Sequence, residues 1–354
     1  MRLNFVVKER LIHGVKTAIA ISAAFSLGKI IGHPADQWIV ISTAVVMCGQ
    51  IYVGGMMQKS YLRLFGTLLG CLMAIFTIFF LNLTFLTTVI TIAISSFIFS
   101  LIATDRESWS QLATLGSVTT IIILFGNPPT VWFAMLRLLE ISGGIIIAAV
   151  VSQFIFPIHA RTHLRRSQAA TFILIKDYYS ATVINRFHKD SQTLRSELDD
   201  NIIKSLMKQR QLASDAAPEL IGKRFDAQHF GRTLYCEREI LRAINFIDLA
   251  LSKVESLQSI YSQQNPLTPF NNEVMQTLDV LIKVLRTNNP ASAHVHLPDI
   301  SPMIQSLHQF HEQLTKEQGI YLDGFVFSAE VVINNLRELA MLYQIPVSAE
   351  PVPN

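Results

Sequence analysis

Between Leu11 and Pro157 the chain carries apolar stretches of about twenty residues, one after another, each the length a helix needs to cross a hydrocarbon core of about 30 Å. A soluble fold cannot bury so many long apolar helices in succession, because a helix at a protein surface must show water a polar face. The expected architecture is therefore all-α: a polytopic membrane domain over residues 1–160 with about six transmembrane helices, then a water-exposed helical domain over residues 161–354. Composition helps only through its distribution. A chain of 354 residues that is 50% hydrophobic and 16% charged would also suit a large enzyme, but beyond Arg161 the pattern turns amphipathic and charge-rich. The first run, from Leu11, is too long for the core of a cleaved signal peptide and reads as a retained span.

The expected spans are Leu11–Ile31, Gln37–Met57, Leu62–Leu81, Leu83–Ala103, Gln111–Phe125 and Val131–Phe156. Charge alternates across them. Arg2, Lys8 and Arg10 precede the first, Lys59 and Arg63 lie between the second and third, Arg106 between the fourth and fifth, and Arg161, Arg165 and Arg166 follow the sixth. The opposite loops, His33 to Asp36, Leu81-Asn82 and Gly126 to Thr130, contain neither Lys nor Arg. This positive-inside pattern puts both termini in the cytoplasm; the long apolar helical runs are those of an inner (plasma) membrane protein, which is the expected location.

The membrane half repeats itself. Asp36-Gln37-Trp38 matches Glu107-Ser108-Trp109, Leu62-Arg63-Leu64 matches Leu136-Arg137-Leu138, and Gly70 falls opposite Gly144. A repeat of three spans inverts its second copy, a construction of transporters that places substrate near the bilayer midplane. Inversion puts Arg63 towards the cytoplasmic side and Arg137 towards the periplasmic side.

The segment Tyr61-Leu62-Arg63-Leu64-Phe65-Gly66-Thr67-Leu68-Leu69-Gly70 resembles the Arg-x-x-Gly-Thr-x-x-Gly signature of the fusaric-acid-resistance (FUSC) and aromatic acid exporter family, with the aluminium-activated malate transporters as more distant relatives. The resemblance extends to Pro34–Trp38, to the arginine and glycines of span six, to Phe156-Pro157 with Ala160-Arg161, and to the run Arg210–Glu219. It implies export of aromatic acids coupled to protons. Many members carry two membrane and two cytosolic blocks in tandem, so a single copy of each implies a homodimer. The resemblance also brings a periplasmic adaptor protein as a candidate partner. In the second repeat Glu140 and Ile141 stand where the first has Gly66 and Thr67.

Charges within spans cost several kcal/mol unless paired or hydrated, so they mark pathways. Arg63, Arg137 and Lys16 are the candidate binders of a small organic anion, with Trp38 and Trp109 as aromatic partners or as interfacial anchors. Glu140, three residues from Arg137 and on its face, and Asp36 are the candidate counter-ions or proton carriers. Gly66, Gly70, Gly143 and Gly144 are the candidate points of close helix or backbone approach.

After residue 160 helices are expected at 163–187, 191–216, 230–263, 272–287, 302–318 and 321–343, forming an antiparallel bundle, with no strand alternation. His294 with His296 and His308 with His311 lack further ligands at metal-binding spacing, and Cys48, Cys71 and Cys236 show neither metal nor redox spacing. A net charge of +3, with basic residues at membrane edges, gives no nucleic-acid stripe. No cofactor motif, P-loop or hydrolase signature is present, so the chain reads as a non-enzyme whose active transport would draw on an ion gradient. The expected function is proton-driven export of organic anions; a passive anion channel and a membrane-anchored scaffold are the alternatives.

Overall fold

The structure is a computed structural model that describes residues 2–31, 36–81, 83–105, 109–126, 129–184, 191–219, 224–254, 268–290, 293–297, 300–301, 304–305 and 315–348. It divides into two compact units, Met1–Ala160 with Ser214–Phe225, and Arg161–Ala213 with Asp226–Asn354. The short segment after Ser214 thus packs with the first unit, which a single division at residue 160 did not anticipate.

The first unit is built from α1 (Arg2–Ile31), α2 (Asp36–Cys48), α3 (Val53–Phe80), α4 (Phe85–Asp105), α5 (Ser110–Leu124) and α6 (Val131–Phe154). Four of these hold stretches long and apolar enough to cross a membrane: Val7–Ile31, Val53–Phe80, Phe85–Thr104 and Val131–Phe154; α2 and α5 are shorter. At 1.5 Å per residue the two short helices are about 20 Å long, less than the hydrocarbon thickness. The exterior is apolar, with Phe85 88% exposed and Phe79, Phe97 and Phe154 also outward, a surface that suits lipid and not water.

The second expected span, Gln37–Met57, is not one helix. The chain breaks after Cys48, and α3 begins at Val53, so Gly54, Gly55 and Lys59 belong, with Arg63, to α3 and not to the second span or a loop before the third. The break is held by polar partners from elsewhere: Lys59 Nζ donates to Gly49 O (3.1 Å), and Val53 N donates to Ile158 O (3.1 Å). The apolar residues Ile51, Tyr52 and Val53 hide this turn in the sequence.

Inside the unit α1 packs on α2, α2 on α6, α3 on both α5 and α6, and α4 on α5. Glycines set the closest crossings. A Cβ on Gly66 or Gly70 would strike the α5 backbone at Leu112 or Gly116, and one on Gly144 would strike α2 at Ile39 and Ser42. A threonine bridges each crossing. Thr120 Oγ1 lies 2.9 Å from Gly116 O and 3.1 Å from Gly70 O, and Thr43 Oγ1 lies 2.9 Å from Ile39 O and 3.1 Å from Gly144 O. Gly143, expected to share this role, has nothing within 4 Å of its Cβ position.

The second unit comprises α7 (Ala160–Tyr179, continued by a π-helical turn Ser180–Ile184), α8 (Ser191–Ala216), α9 (Ala227–Lys253), α10 (Thr268–Thr287) and α11 (Lys316–Leu342) around one apolar core. Asp226 caps α9 by accepting from His229 N, and Thr315 with Gln318 forms a capping box on α11. That box starts the last helix at Lys316, ahead of the expected Tyr321. Two short strands also form, β1 (Val295–His296) and β2 (Val347–Ser348), paired in parallel where none was expected. His308 and His311, and most of the expected helix 302–318, lie outside the described residues.

Candidate functional site

On α3, Ser60, Arg63 and Thr67 follow one another at spacings of three and four and so share a face. All three are buried, Arg63 to 8% exposure. Ser60 Oγ, Arg63 Nε and Thr67 Oγ1 have no hydrogen-bond partner, and Arg63 makes no ion pair among the described residues. Helical threonines usually turn back to the carbonyl four residues earlier, as Thr43, Thr77 and Thr120 do here. Ser60 and Thr67 do not. The face therefore offers one permanent positive charge and two hydroxyls, and no described residue supplies them with an acceptor.

The matched arginine is in the opposite condition. Arg137 Nη1 donates to Glu140 Oε2 at 2.9 Å, and its guanidinium carbon lies 4.8 Å from the Trp38 ring centre and 4.6 Å from that of Phe133. Thus α6 and the first turn of α2 jointly hold a neutralised cation between two aromatic faces. Thr130 sets the start of α6 by accepting from Phe133 N (3.1 Å). Arg137 then falls about 9 Å along the helix from Val131, while Arg63 falls about 15 Å along α3 from Val53.

Lys16, fully buried on α1, donates from Nζ to Ser152 O on α6 (3.1 Å). Beside this bond Thr17 Oγ1 and Ser152 Oγ have no partner. Of the expected site residues, then, Trp38, Arg137 and Glu140 come together, while Arg63 and Lys16 stand on other helices. Trp109 sits 42% exposed at the start of α5. The side chain of Asp36 lies outside the described residues, as does Glu107.

Sequence reasoning passed over Ser60, Thr67, Phe133 and Ser152. The signal for the first two was a polar stripe at helical spacing through Arg63, and for Phe133 an aromatic residue one turn before Arg137. The junction beside α3 was also missed. Asp215 lies against Gly54 and Gly55, where any side chain would collide, and Glu219 Oε1 accepts from Ala160 N at 2.5 Å. Burial pushes the Asp215 carboxyl up, with Lys59 acting in the other direction.

A second buried acid lies in the other unit. Glu237 is fully buried; Gln209 Nε2 donates to its Oε2 (2.9 Å), while its Oε1 has no partner. Burial pushes its carboxyl up to about 8, against the opposing bond from Gln209.

Long apolar helices, a lipid-compatible exterior and charges buried within them define a multi-pass membrane protein. The chain belongs to the fusaric acid resistance protein family, whose model matches residues 10–232. That membership is consistent with transport or efflux. No curated protein matches the chain.

Proposed function

We propose that the protein is a secondary transporter of the inner membrane that exports organic anions, aromatic carboxylic acids above all, on the proton gradient. The observation that carries this reading is the buried Arg63, which has no counter-ion among the described residues, while the hydroxyls of Ser60 and Thr67 beside it have no partner there either. A buried cation of this kind costs several kcal/mol unless something anionic meets it. A carboxylate accepts from guanidinium and hydroxyl donors alike.

In this reading the six helices of the first unit all serve as spans, in two inverted sets of three with both termini cytoplasmic. The alternation of basic and uncharged loops supports the orientation. The repeat is supported by the order long, short, long in each set and by the same glycine-threonine crossing between α3 and α5 as between α6 and α2. Short, interrupted helices flank substrate in other transporters of inverted design. Residues 161–354 then form a cytosolic domain.

The proposed cycle gives each charged group a task. Arg63, with Lys16 nearby in depth, receives the anion from the cytoplasm. A proton from the outer side adds to the Glu140 carboxylate, which releases Arg137 to take the anion's carboxylate, with Trp38 and Phe133 offering ring faces to an aromatic substrate. Loss of that proton to the inside restores the Arg137–Glu140 pair, and the pair displaces the anion outward.

The test is flux of benzoate from proteoliposomes under an imposed proton gradient. Wild type should carry it, and Arg63→Gln and Arg137→Gln should each lower the rate about tenfold or more, the cost of one lost charge-assisted contact. Equal flux in the variants would sink the role of the arginines. Flux that follows voltage and ignores the proton gradient would favour a passive channel.

A further inference from the structure

Inside the second unit three helices meet through polar side chains. Thr171 on α7, Gln209 on α8 and Glu237 on α9 are all fully buried. Ser205 Oγ lies 2.7 Å from Thr171 Oγ1, which donates on to Ser167 O (3.0 Å). Gln209 uses its amide nitrogen twice: Nε2 donates to Thr171 Oγ1 (2.7 Å) and to Glu237 Oε2 (2.9 Å). Two acceptors are left over, Gln209 Oε1 and Glu237 Oε1, each buried and without a partner among the described residues.

A single proton repairs this arrangement. A carboxylic acid and a primary amide pair through two bonds, amide N–H to one carboxyl oxygen and carboxyl O–H back to the amide oxygen. A carboxylate would leave both spare oxygens unsatisfied and a full charge in a dry core, which buried groups avoid by neutralising. No cation offers another solution. Glu237 makes no ion pair among the described residues, and α7 and α8 present it with hydroxyl and amide groups only. Its titratable neighbours are Tyr343, past the end of α11, and Cys236 on α9; burial pushes both up, the thiol to about 12, so neither carries charge near neutral pH. The charged pair Arg232–Glu338, between α9 and α11, acts on Cys236 and is neutral as a pair.

We propose that this is a proton-binding switch: Glu237 holds a proton on Oε1, donates it to Gln209 Oε1, and so closes α9 on α8 and α7. When the helices part, the acid meets water and gives the proton up, so closing takes up one proton. Burial pushes the closed carboxyl up to about 8 from the ordinary 4.5, with the Gln209 bond acting the other way. The closed form is thus favoured fully below about pH 4.5; its advantage falls as pH rises, opening grows up to about tenfold per pH unit, and above about pH 8 it levels off. The inference is independent of the transport reading. On the cytoplasmic side proposed above, the second unit tightens as that compartment turns acid.

Amide hydrogen exchange on the full chain in lipid nanodiscs, read by mass spectrometry and corrected for the chemical effect of pH, tests the switch. The parts of α8 and α9 around Gln209 and Glu237 should exchange up to about tenfold faster per unit between about pH 6 and about pH 8, and Glu237→Gln should be flat. Infrared difference spectra at neutral pH should show the carbonyl stretch of a neutral carboxylic acid in the wild type that Glu237→Gln lacks. A missing band, the same slope in the variant, or exchange in α8 and α9 no faster than in α10, the mark of global unfolding, would each overturn the proposal. Should the variant not fold, the wild-type exchange profile decides alone, and a flat one overturns it.

Discussion

An arginine keeps its charge wherever it is placed, so burying one obliges the fold to supply an acceptor or leave the charge uncompensated. Arg137 has Glu140 and two rings; Arg63, its counterpart in sequence, has none of these. The partner of Arg137 was legible in the sequence, since Glu140 stands three residues on and on the same helix face. The ring of Trp38 was not, because it reaches Arg137 only through the α2–α6 crossing. Glu237 is a residue whose burial leads to a sharp expectation. Its folded carboxyl titrates at about 8, above the ordinary 4.5, so the folded state binds the proton more tightly than the unfolded chain does. The stabilising contribution is complete below about pH 4.5 and is lost as pH climbs to about 8, at up to about 1.4 kcal/mol per unit. Melting of the wild type should therefore fall steadily between about pH 5 and about pH 8.5, while Glu237→Gln, which keeps a partner for Gln209, should flatten that slope. Equal slopes in the two would contradict the account.

At the scale of the element, apolar run length gave α1, α3, α4 and α6 directly, because nothing but a long buried or lipid-facing helix accommodates such runs. It failed at the α2–α3 turn, where the residues that break the helix, Gly49 and Gln50, are followed at once by apolar ones and the hydrogen bonds that fix the turn come from Lys59 and Ile158. Glycine pairs were legible as packing points, but which member faces a neighbour was not. Gly144 sits against α2 and Gly143 against open space. Gly144→Leu should consequently cost about 1–3 kcal/mol or more through forced separation of α2 and α6, whereas Gly143→Leu should stay within about 0.5 kcal/mol. Thermal unfolding in one detergent compares them, and equal losses would mean that the α2–α6 crossing does not limit stability.

For the whole molecule, the chain forms two compact units, one with a lipid-compatible apolar exterior and one a helical unit around its own core. Hydropathy made the division legible. The attachment of Asp215 and Glu219 to the first unit was not, since it rests on the space that Gly54 and Gly55 leave beside α3. The central claim is that the face of α3 formed by Ser60, Arg63 and Thr67 takes the carboxylate of an organic anion. The most direct measurement is the position of iodine in the protein held in lipid nanodiscs with 4-iodobenzoate, determined by electron cryo-microscopy. The account predicts a carboxylate within hydrogen-bonding reach of Arg63, Ser60 and Thr67, with the iodine further along the pathway and both lost in Arg63→Gln. An anion bound elsewhere in the first unit while Arg63 keeps none, or binding unchanged in Arg63→Gln, would contradict it.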